Sequence, residues 1–353
     1  MKKIILTGGG SAGHVTPNLA LAPVLREAGF DVEYIGGKNG MERALVEQAG
    51  IPYHGISTGK LRRDKLLSLK NLSDMFGAAA GVGDSIKVMK KVKPDIIFSK
   101  GGFVGLPVAI AARMRRVPLV LHESDLSSGL ANRLSMGFAK AICASFPETM
   151  QSLPPRKAVL TGNPIRKELL AGNADKGRSL CGFAGNKPVI LMMGGSLGSE
   201  RLNNALISAL PKLLQKYDII HICGRGKMDG GLKQTGYAAF EYLGNGLGDV
   251  LDLADVIVSR AGSNALNEFL ALRKPSLLIP LARATRGDQI QNARSFAERG
   301  FAMVLDEQAL TSDALTANID SLYRKRHDFI LNMEKSPVSN AANEVVKVIL
   351  NNV

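Results

Sequence analysis

A chain of 353 residues exceeds what one hydrophobic core fills and suits two domains, for which 45% hydrophobic residues supply enough apolar material. A net charge of +14 points to an anionic partner, yet the absence of tryptophan, an aromatic content of 5% and the lack of any zinc-finger or RNA-recognition motif argue against nucleic acid. Cys143, Cys181 and Cys223 are scattered and odd in number, which excludes a disulfide framework and reads as buried reduced thiols in a cytosolic protein.

The chain opens with Met1-Lys2-Lys3 and a short apolar run at 4–6, too brief for the core of a signal peptide. No stretch approaches the roughly 18 apolar residues that span a bilayer, so any membrane contact is expected to be peripheral. Next comes Gly8-Gly9-Gly10-Ser11-Ala12-Gly13-His14, and then helical spacing through Leu19, Leu21, Val24 and Leu25. This is a strand, a glycine loop and a helix. Glycines let the backbone approach an anion closely, and the free N–H groups at a helix start attract it, so a diphosphate is the natural guest. The loop also satisfies the dinucleotide fingerprint G-x-G-x-x-G, which keeps an NAD-dependent oxidoreductase as an alternative. That fingerprint wants an acid ending the second strand about 20 residues on, whereas Glu33 sits early in its strand. His14, at the loop's mouth, could take a proton from a substrate hydroxyl, cap the helix or bind phosphate.

Further β-branched runs at 32–35, 96–98, 119–121, 141–143 and 159–160 alternate with helical segments, the pattern of a parallel sheet covered on both faces. Between Lys60 and Lys93 the chain sets Leu66, Leu67, Leu69, Met75 and Phe76 beside Lys60, Arg62, Arg63, Lys65 and Lys70, a combination suited to an anionic lipid surface. Thr161-Gly162-Asn163-Pro164 marks a boundary, because proline forces extended geometry on Asn163. The expected domains are residues 1–164 and 165–335, with a final helix within 336–353 that carries Val345, Val346, Val348, Ile349 and Leu350 and must pack on one of them.

The second half repeats the scheme. A run at 189–193 leads into Gly194-Gly195-Ser196-Leu197-Gly198-Ser199 and a helix through Leu202, Ala205, Leu206 and Leu210; further strands are expected at 219–223, 256–258, 277–279 and 303–305. Ser259-Arg260-Ala261-Gly262-Ser263 is another strand end running into a helix over 264–272, with Ser263 as its expected cap. Glu268, less than two turns in, is placed to accept hydrogen bonds from ribose hydroxyls. The amides of Gln289, Gln291 and Asn292 could read a base or sugar, and Arg166 and Arg260 could each reach a diphosphate.

Seven ordered motifs over nearly the whole chain resemble the MurG family of bacterial cell-wall glycosyltransferases. They are Gly9 to His14, Gly101-Gly102-Phe103-Val104, His122-Glu123-Ser124-Asp125, Gly162-Asn163-Pro164-Ile165-Arg166, Gly194 to Gly198, Ser259 to Ser263 with Glu268, and Asp288-Gln289 with Asn292. The resemblance implies an α/β GT-B architecture, with two Rossmann-like doubly wound domains facing a cleft and the C-terminal helix packed back on the first. It implies an inverting transfer of N-acetylglucosamine (GlcNAc) from UDP-GlcNAc to the 4-hydroxyl of undecaprenyl-diphosphate-linked N-acetylmuramyl-peptide, with no cofactor. The alternative within the same architecture is another acceptor.

Carried over residue by residue, Ser263, Asn264, Ala265, Leu266, Asn267 and Glu268 hold the donor's diphosphate and ribose. Ser196, Arg166 and Arg260 contact phosphate, Gln289 meets the donor sugar or ribose, and the backbone at Leu243-Gly244 meets the uracil. Ser11, Ala12, Gly13, His14, Gly102 and Asp125 face the acceptor, with His14 the first candidate base and Glu123 and Asp125 behind it. The sequence contains no Asp-x-Asp metal motif. Further partners would be anionic inner-leaflet lipids and other cell-wall synthesis proteins, at the cytoplasmic face of the membrane. Ser11-Ala12 and Ser124-Asp125 depart from the commoner Thr-Gly and Gln-Asn spellings, and the acid at Asp125 bears on how the acceptor is held.

Overall fold

The computed structural model describes residues 1–59, 69–195, 198–228, 230–281, 287–336 and 340–353, with residues 12 and 69–75 described by backbone alone. The chain divides into two compact units, Met1–Arg166 with Asn340–Val353, and Lys167–Ser339. The first unit therefore runs two residues past Pro164 and includes Arg166.

In the first unit, β1 (Lys2–Thr7), β2 (Phe30–Gly37), β3 (Tyr53–Ile56), β4 (Ile96–Ser99), β5 (Leu119–Glu123), β6 (Ala141–Ala144) and β7 (Ala158–Leu160) form one sheet in the order β3-β2-β1-β4-β5-β6-β7. Every pairing is parallel, with Ile4 opposite Val32 on one side and Ile96 on the other. The two-residue period of a strand sorts its side chains. Ile4 and Leu6 join Leu21 and Leu25 of the first helix, whereas Ile5 points the other way into Ile35, Ile97, Val104 and Val108. Both faces are apolar, so β1 reads as a continuous run. The helix Ala341–Leu350 lays Val345 and Ile349 onto the first of these clusters.

The second unit holds β8 (Val189–Met193), β9 (Asp218–Ile222), β10 (Tyr237–Phe240), β11 (Val256–Ser259), β12 (Ser276–Leu278) and β13 (Ala302–Val304), all parallel, in the order β10-β9-β8-β11-β12-β13. Each sheet reverses its winding once, between β1 and β4 and between β8 and β11. Ligands of doubly wound sheets bind outside the carboxyl ends of the strands at that reversal. The loops after β1, β4, β8 and β11 are therefore where a site is expected.

Two strands, β3 and β10, escape the sequence reading. Both are edge strands; Tyr53-His54-Gly55-Ile56 is interrupted by His54 and Gly55, and Tyr237-Ala238-Ala239-Phe240 has no β-branched residue, so neither stands out as a strand. Among the described residues no helix is long and apolar enough to cross a membrane. Of the segment read as lipid-facing, residues 60–68 and the side chains of 69–75 lie outside the described residues; Phe76 is 70% exposed.

Candidate functional site

After β1 the chain passes through Gly8, Gly9, Gly10 and Ser11 into the helix Ala12–Glu27. The turn is held from below: Tyr34 Oη donates to the Gly8 carbonyl at 2.6 Å, and Asn18 Nδ2 donates to the Thr7 carbonyl at 3.1 Å. It is also packed against the loop after β4. Gly10 (φ +84°) and Gly102 (φ +75°) both need left-handed backbone, and a side chain at Gly102 would collide with the Gly9 carbonyl, one at Gly10 with the Phe103 ring.

His14, half-buried in the first turn, lies with Nδ1 3.2 Å from the Gly9 carbonyl and 3.1 Å from Ser11 Oγ. A carbonyl only accepts, so this bond assigns the proton to Nδ1 and the lone pair to Nε2, the tautomer a general base requires. Gly13 is half-buried in the same turn, Ser11 is exposed, and of Ala12 only the backbone is described.

Beneath these loops sits Lys100, which the sequence reading passed over. A lysine before a glycine pair reads as a solvated loop residue, yet this one is 1% exposed. Its Nζ lies 2.7 Å from His122 Nδ1, 2.5 Å from Ser124 Oγ and 2.9 Å from Asn163 Oδ1. Burial pushes the ammonium down to about 7, although Glu123 and Asp125 pull the other way. His122 Nε2 donates to the Gly162 carbonyl at 2.8 Å. Burial and the neighbouring Lys100 hold that imidazole's pKa well below its usual range, so the ring is neutral.

Glu123 is not placed to act as a base. Its Oε1 accepts from Asp125 N (3.2 Å) and its Oε2 from Gly129 N (3.2 Å) and Asn132 Nδ2 (2.9 Å), which makes it the staple of the loop after β5. Burial raises its pKa. Asp125 is half-buried in that loop, and its carbonyl accepts from Thr149 Oγ1 at 3.4 Å. At the end of the first unit Arg166 is half-buried, and its Nε finds no hydrogen-bond partner among the described residues.

In the second unit the loop after β8 ends at Ser199, whose hydroxyl caps the helix Glu200–Leu213 by accepting from Leu202 N; Ser196 lies outside the described residues. After β11 the chain enters the helix Ser263–Ala271. The N-cap is Gly262 and not Ser263, which is already helical; Gly262 has no side chain with which to cap the helix. The 3.6-residue period then divides the segment assigned to the donor. Leu266 (0% exposed) and Asn267 (6%) turn inward, Asn267 Nδ2 donating to the Ser263 carbonyl at 2.8 Å, while Asn264, Ala265 and Glu268 occupy the half-buried side. Leu266 and Asn267 are thus packing residues. Asn264 and Glu268, four apart, share a face.

Arg260 also departs from expectation. It is 8% exposed, and its guanidinium donates to the Ile279 carbonyl (3.0 Å), Ser199 Oγ (2.7 Å) and Glu307 Oε1 (2.5 Å). It ties the ends of β11 and β12 to the start of the helix Glu200–Leu213 and is committed to structure rather than to a ligand's phosphates. Gln289, in the first turn of the helix Asp288–Glu298, uses its oxygen to accept from Leu281 N at 3.0 Å. Gly244 is exposed beside the buried Leu243 in the loop after β10. Glu33, the misplaced ribose acid, meets His54 Nε2 at 2.5 Å on the edge strand. Among the described residues no group of three or more His, Cys, Asp or Glu is arranged to hold a metal ion.

Two family models match the chain: the glycosyltransferase family 28 N-terminal domain over residues 4–144, within the first unit, and the glycosyltransferase family 28 C-terminal domain over 189–349, which spans the second unit from β8 onward and most of the C-terminal helix. The UDP-N-acetylglucosamine--N-acetylmuramyl-(pentapeptide) pyrophosphoryl-undecaprenol N-acetylglucosamine transferase of Lachnospira eligens is 53% identical over 100% of this chain and 99% of its own. Its namesake in Lachnoclostridium phytofermentans is 48% identical over 99% and 98%. The crystal structure of Acinetobacter baumannii MurG superposes with a TM-score of 0.78 at 26% identity, covering 99% of this chain and 100% of that one. Two parallel doubly wound units of this topology, matched end to end by such relatives, are those of a GT-B transferase, and the chain belongs to the MurG family within glycosyltransferase family 28.

Proposed function

We propose that this enzyme transfers GlcNAc from UDP-GlcNAc to the 4-hydroxyl of the muramyl sugar of an undecaprenyl-diphosphate-linked N-acetylmuramyl-peptide, with inversion at the anomeric carbon. The observation that carries this reading is the likeness to the transferase of Lachnospira eligens, 53% identical over 100% of this chain. Within this reading the candidate residues divide the labour. Nε2 of His14 takes the proton of the acceptor hydroxyl, whose oxygen then displaces UDP in line from the donor's anomeric carbon. Charge developing on the leaving diphosphate is met by the N–H groups at the start of the helix Ser263–Ala271 and by Arg166 and Ser196.

Glu268 and Asn264 accept from and donate to the ribose, Gln289 donates to the donor sugar, and the backbone at Leu243-Gly244 meets the uracil. On the first unit Ser11, Gly13 and Gly102 meet the acceptor's diphosphate, with Asp125 beside its sugar. The enzyme meets its lipid acceptor at the cytoplasmic face of the membrane through the apolar and basic residues of 60–76. Changing Leu67 and Phe76 to Ser, or Arg62 and Arg63 to Glu, should weaken binding to anionic vesicles and leave UDP binding intact.

The deciding experiment offers the protein labelled UDP-GlcNAc with the lipid-linked muramyl-peptide, a diacylglycerol or a soluble sugar. Release of UDP with a β-linked disaccharide on the first acceptor alone is expected. Transfer to either of the others assigns a different acceptor, and binding of NAD without UDP release would return the oxidoreductase reading.

A further inference from the structure

Three of the chain's glycosyltransferase motifs meet at one atom. The Nζ of Lys100, which immediately precedes Gly101-Gly102, donates to His122 and Ser124 of the second motif and to Asn163 of the third. We propose that Lys100 is the positioning residue of the acceptor side: its buried ammonium locks the ends of β4 and β5 and the chain beyond β7 together, and so fixes both the Ser124-Asp125 turn and the glycine loop that orients His14. This rests on the transfer reading above.

The hydrogen bonds fit an ammonium. Because the Gly162 carbonyl can only accept, His122 carries its proton on Nε2 and offers Nδ1 as an acceptor; Asn163 offers Oδ1 and Ser124 its hydroxyl oxygen. Three acceptors match three N–H bonds. The surrounding titratable groups are Glu123 and Asp125, whose carboxylates favour the charged form, the neutral His122, and the Cys143 thiol on β6, which burial pushes up to about 12. From β1 only the Thr7 carbonyl reaches it, accepting from Lys100 N at 2.9 Å.

Full burial of a lysine is costly, and an apolar side chain of the same length would be easier to accommodate. The cost is informative because of what the lysine anchors. Two residues on, Gly102 packs on the Gly9 carbonyl, the same oxygen that accepts from His14 Nδ1. Loss of the Lys100 proton leaves two N–H bonds and a lone pair for three partners. One partner must then reverse or break its bond, and the Ser124 hydroxyl, next to Asp125, is one that can donate in place of accepting. With burial holding Lys100 near 7, this rearrangement falls near neutral pH.

The test is steady-state transfer by full-length Lys100→Met and Ser124→Ala against lipid-linked muramyl-peptide, with UDP binding and melting temperature measured beside it. Lys100→Met should lower kcat/KM for the acceptor at least tenfold and hold UDP affinity within twofold. In the parent, acceptor kcat/KM should fall as pH rises through about 7. That limb is opposite in sign to the rise a histidine base produces. Ser124→Ala should move the falling limb to lower pH, a readout that survives even if Lys100→Met does not fold. Unchanged acceptor kinetics in Lys100→Met, an equal loss of UDP affinity, or a falling limb that Ser124→Ala leaves in place would overturn the proposal. A parent that transfers to no lipid-linked acceptor would instead sink the transfer reading.

Discussion

The Gly9 carbonyl, five residues back from His14 in the same loop, is 3.2 Å from His14 Nδ1 and sets the ring's tautomer with backbone rather than with a carboxylate. A backbone acceptor orients the imidazole without placing a negative charge beside it.

His14→Ala should therefore lower turnover roughly 100-fold, the scale of a lost general base, with UDP affinity nearly unchanged. The rising limb of the pH–rate profile should disappear with it. A defect confined to the acceptor's KM would make His14 a phosphate ligand instead.

Glu268 is tested by donor binding alone. Its carboxylate lies on the half-buried face of the helix Ser263–Ala271, one turn after Asn264. Hydrogen bonds to a charged group contribute about 1.5–3 kcal/mol each, so Glu268→Ala should weaken UDP about tenfold or more. Titration calorimetry with UDP decides it, and an unchanged affinity removes Glu268 from the site.

The strands buried on both faces were legible because such burial demands unbroken apolar runs, as at Ile4-Ile5-Leu6 and Val256-Ile257-Val258. β3 and β10 were not, since His54-Gly55 interrupts the one and Tyr237-Ala238-Ala239-Phe240 gives the other no β-branched residue. At the site, sequence spacing found the loops but not the direction of individual side chains. Ser263 is where a cap was expected, yet Gly262 is the cap; Arg260 stands in a phosphate loop, yet Glu307, distant in sequence, claims it. Lys100 left no local signal, because its partners come from 22, 24 and 63 residues away.

The Arg260–Glu307 pair is expected to govern stability rather than binding. Both side chains are 10% exposed. Removing one partner of a buried pair costs about 3–5 kcal/mol because the other charge is stranded. Arg260→Met should show a loss of that order in chemical denaturation, and Arg260→Met with Glu307→Leu should recover most of it. Full stability with a collapsed UDP affinity would restore Arg260 as a phosphate ligand.

Asp84 supplies an acid-side test of the first unit's edge. It sits on the helix Leu69–Val92 and accepts from Ser57 N at 2.9 Å and Ser57 Oγ at 2.8 Å, just past β3, with Lys38 Nζ at 3.0 Å. These bonds, the Ser57 backbone N–H first, favour the carboxylate and lower its pKa from 3.8 to about 2. A depressed acid stabilises the folded state wherever it is ionised in both states, here above about pH 4, and that contribution fades as pH falls through about 2. Asp84→Asn cannot titrate and makes a poorer acceptor for Lys38. Its melting temperature should lie below the parent's at neutral pH, and the gap should close progressively between pH 4 and pH 2. Paired melting curves across that range measure it, and a gap that stays constant with pH would show that the Ser57 and Lys38 contacts contribute nothing through the charge of Asp84.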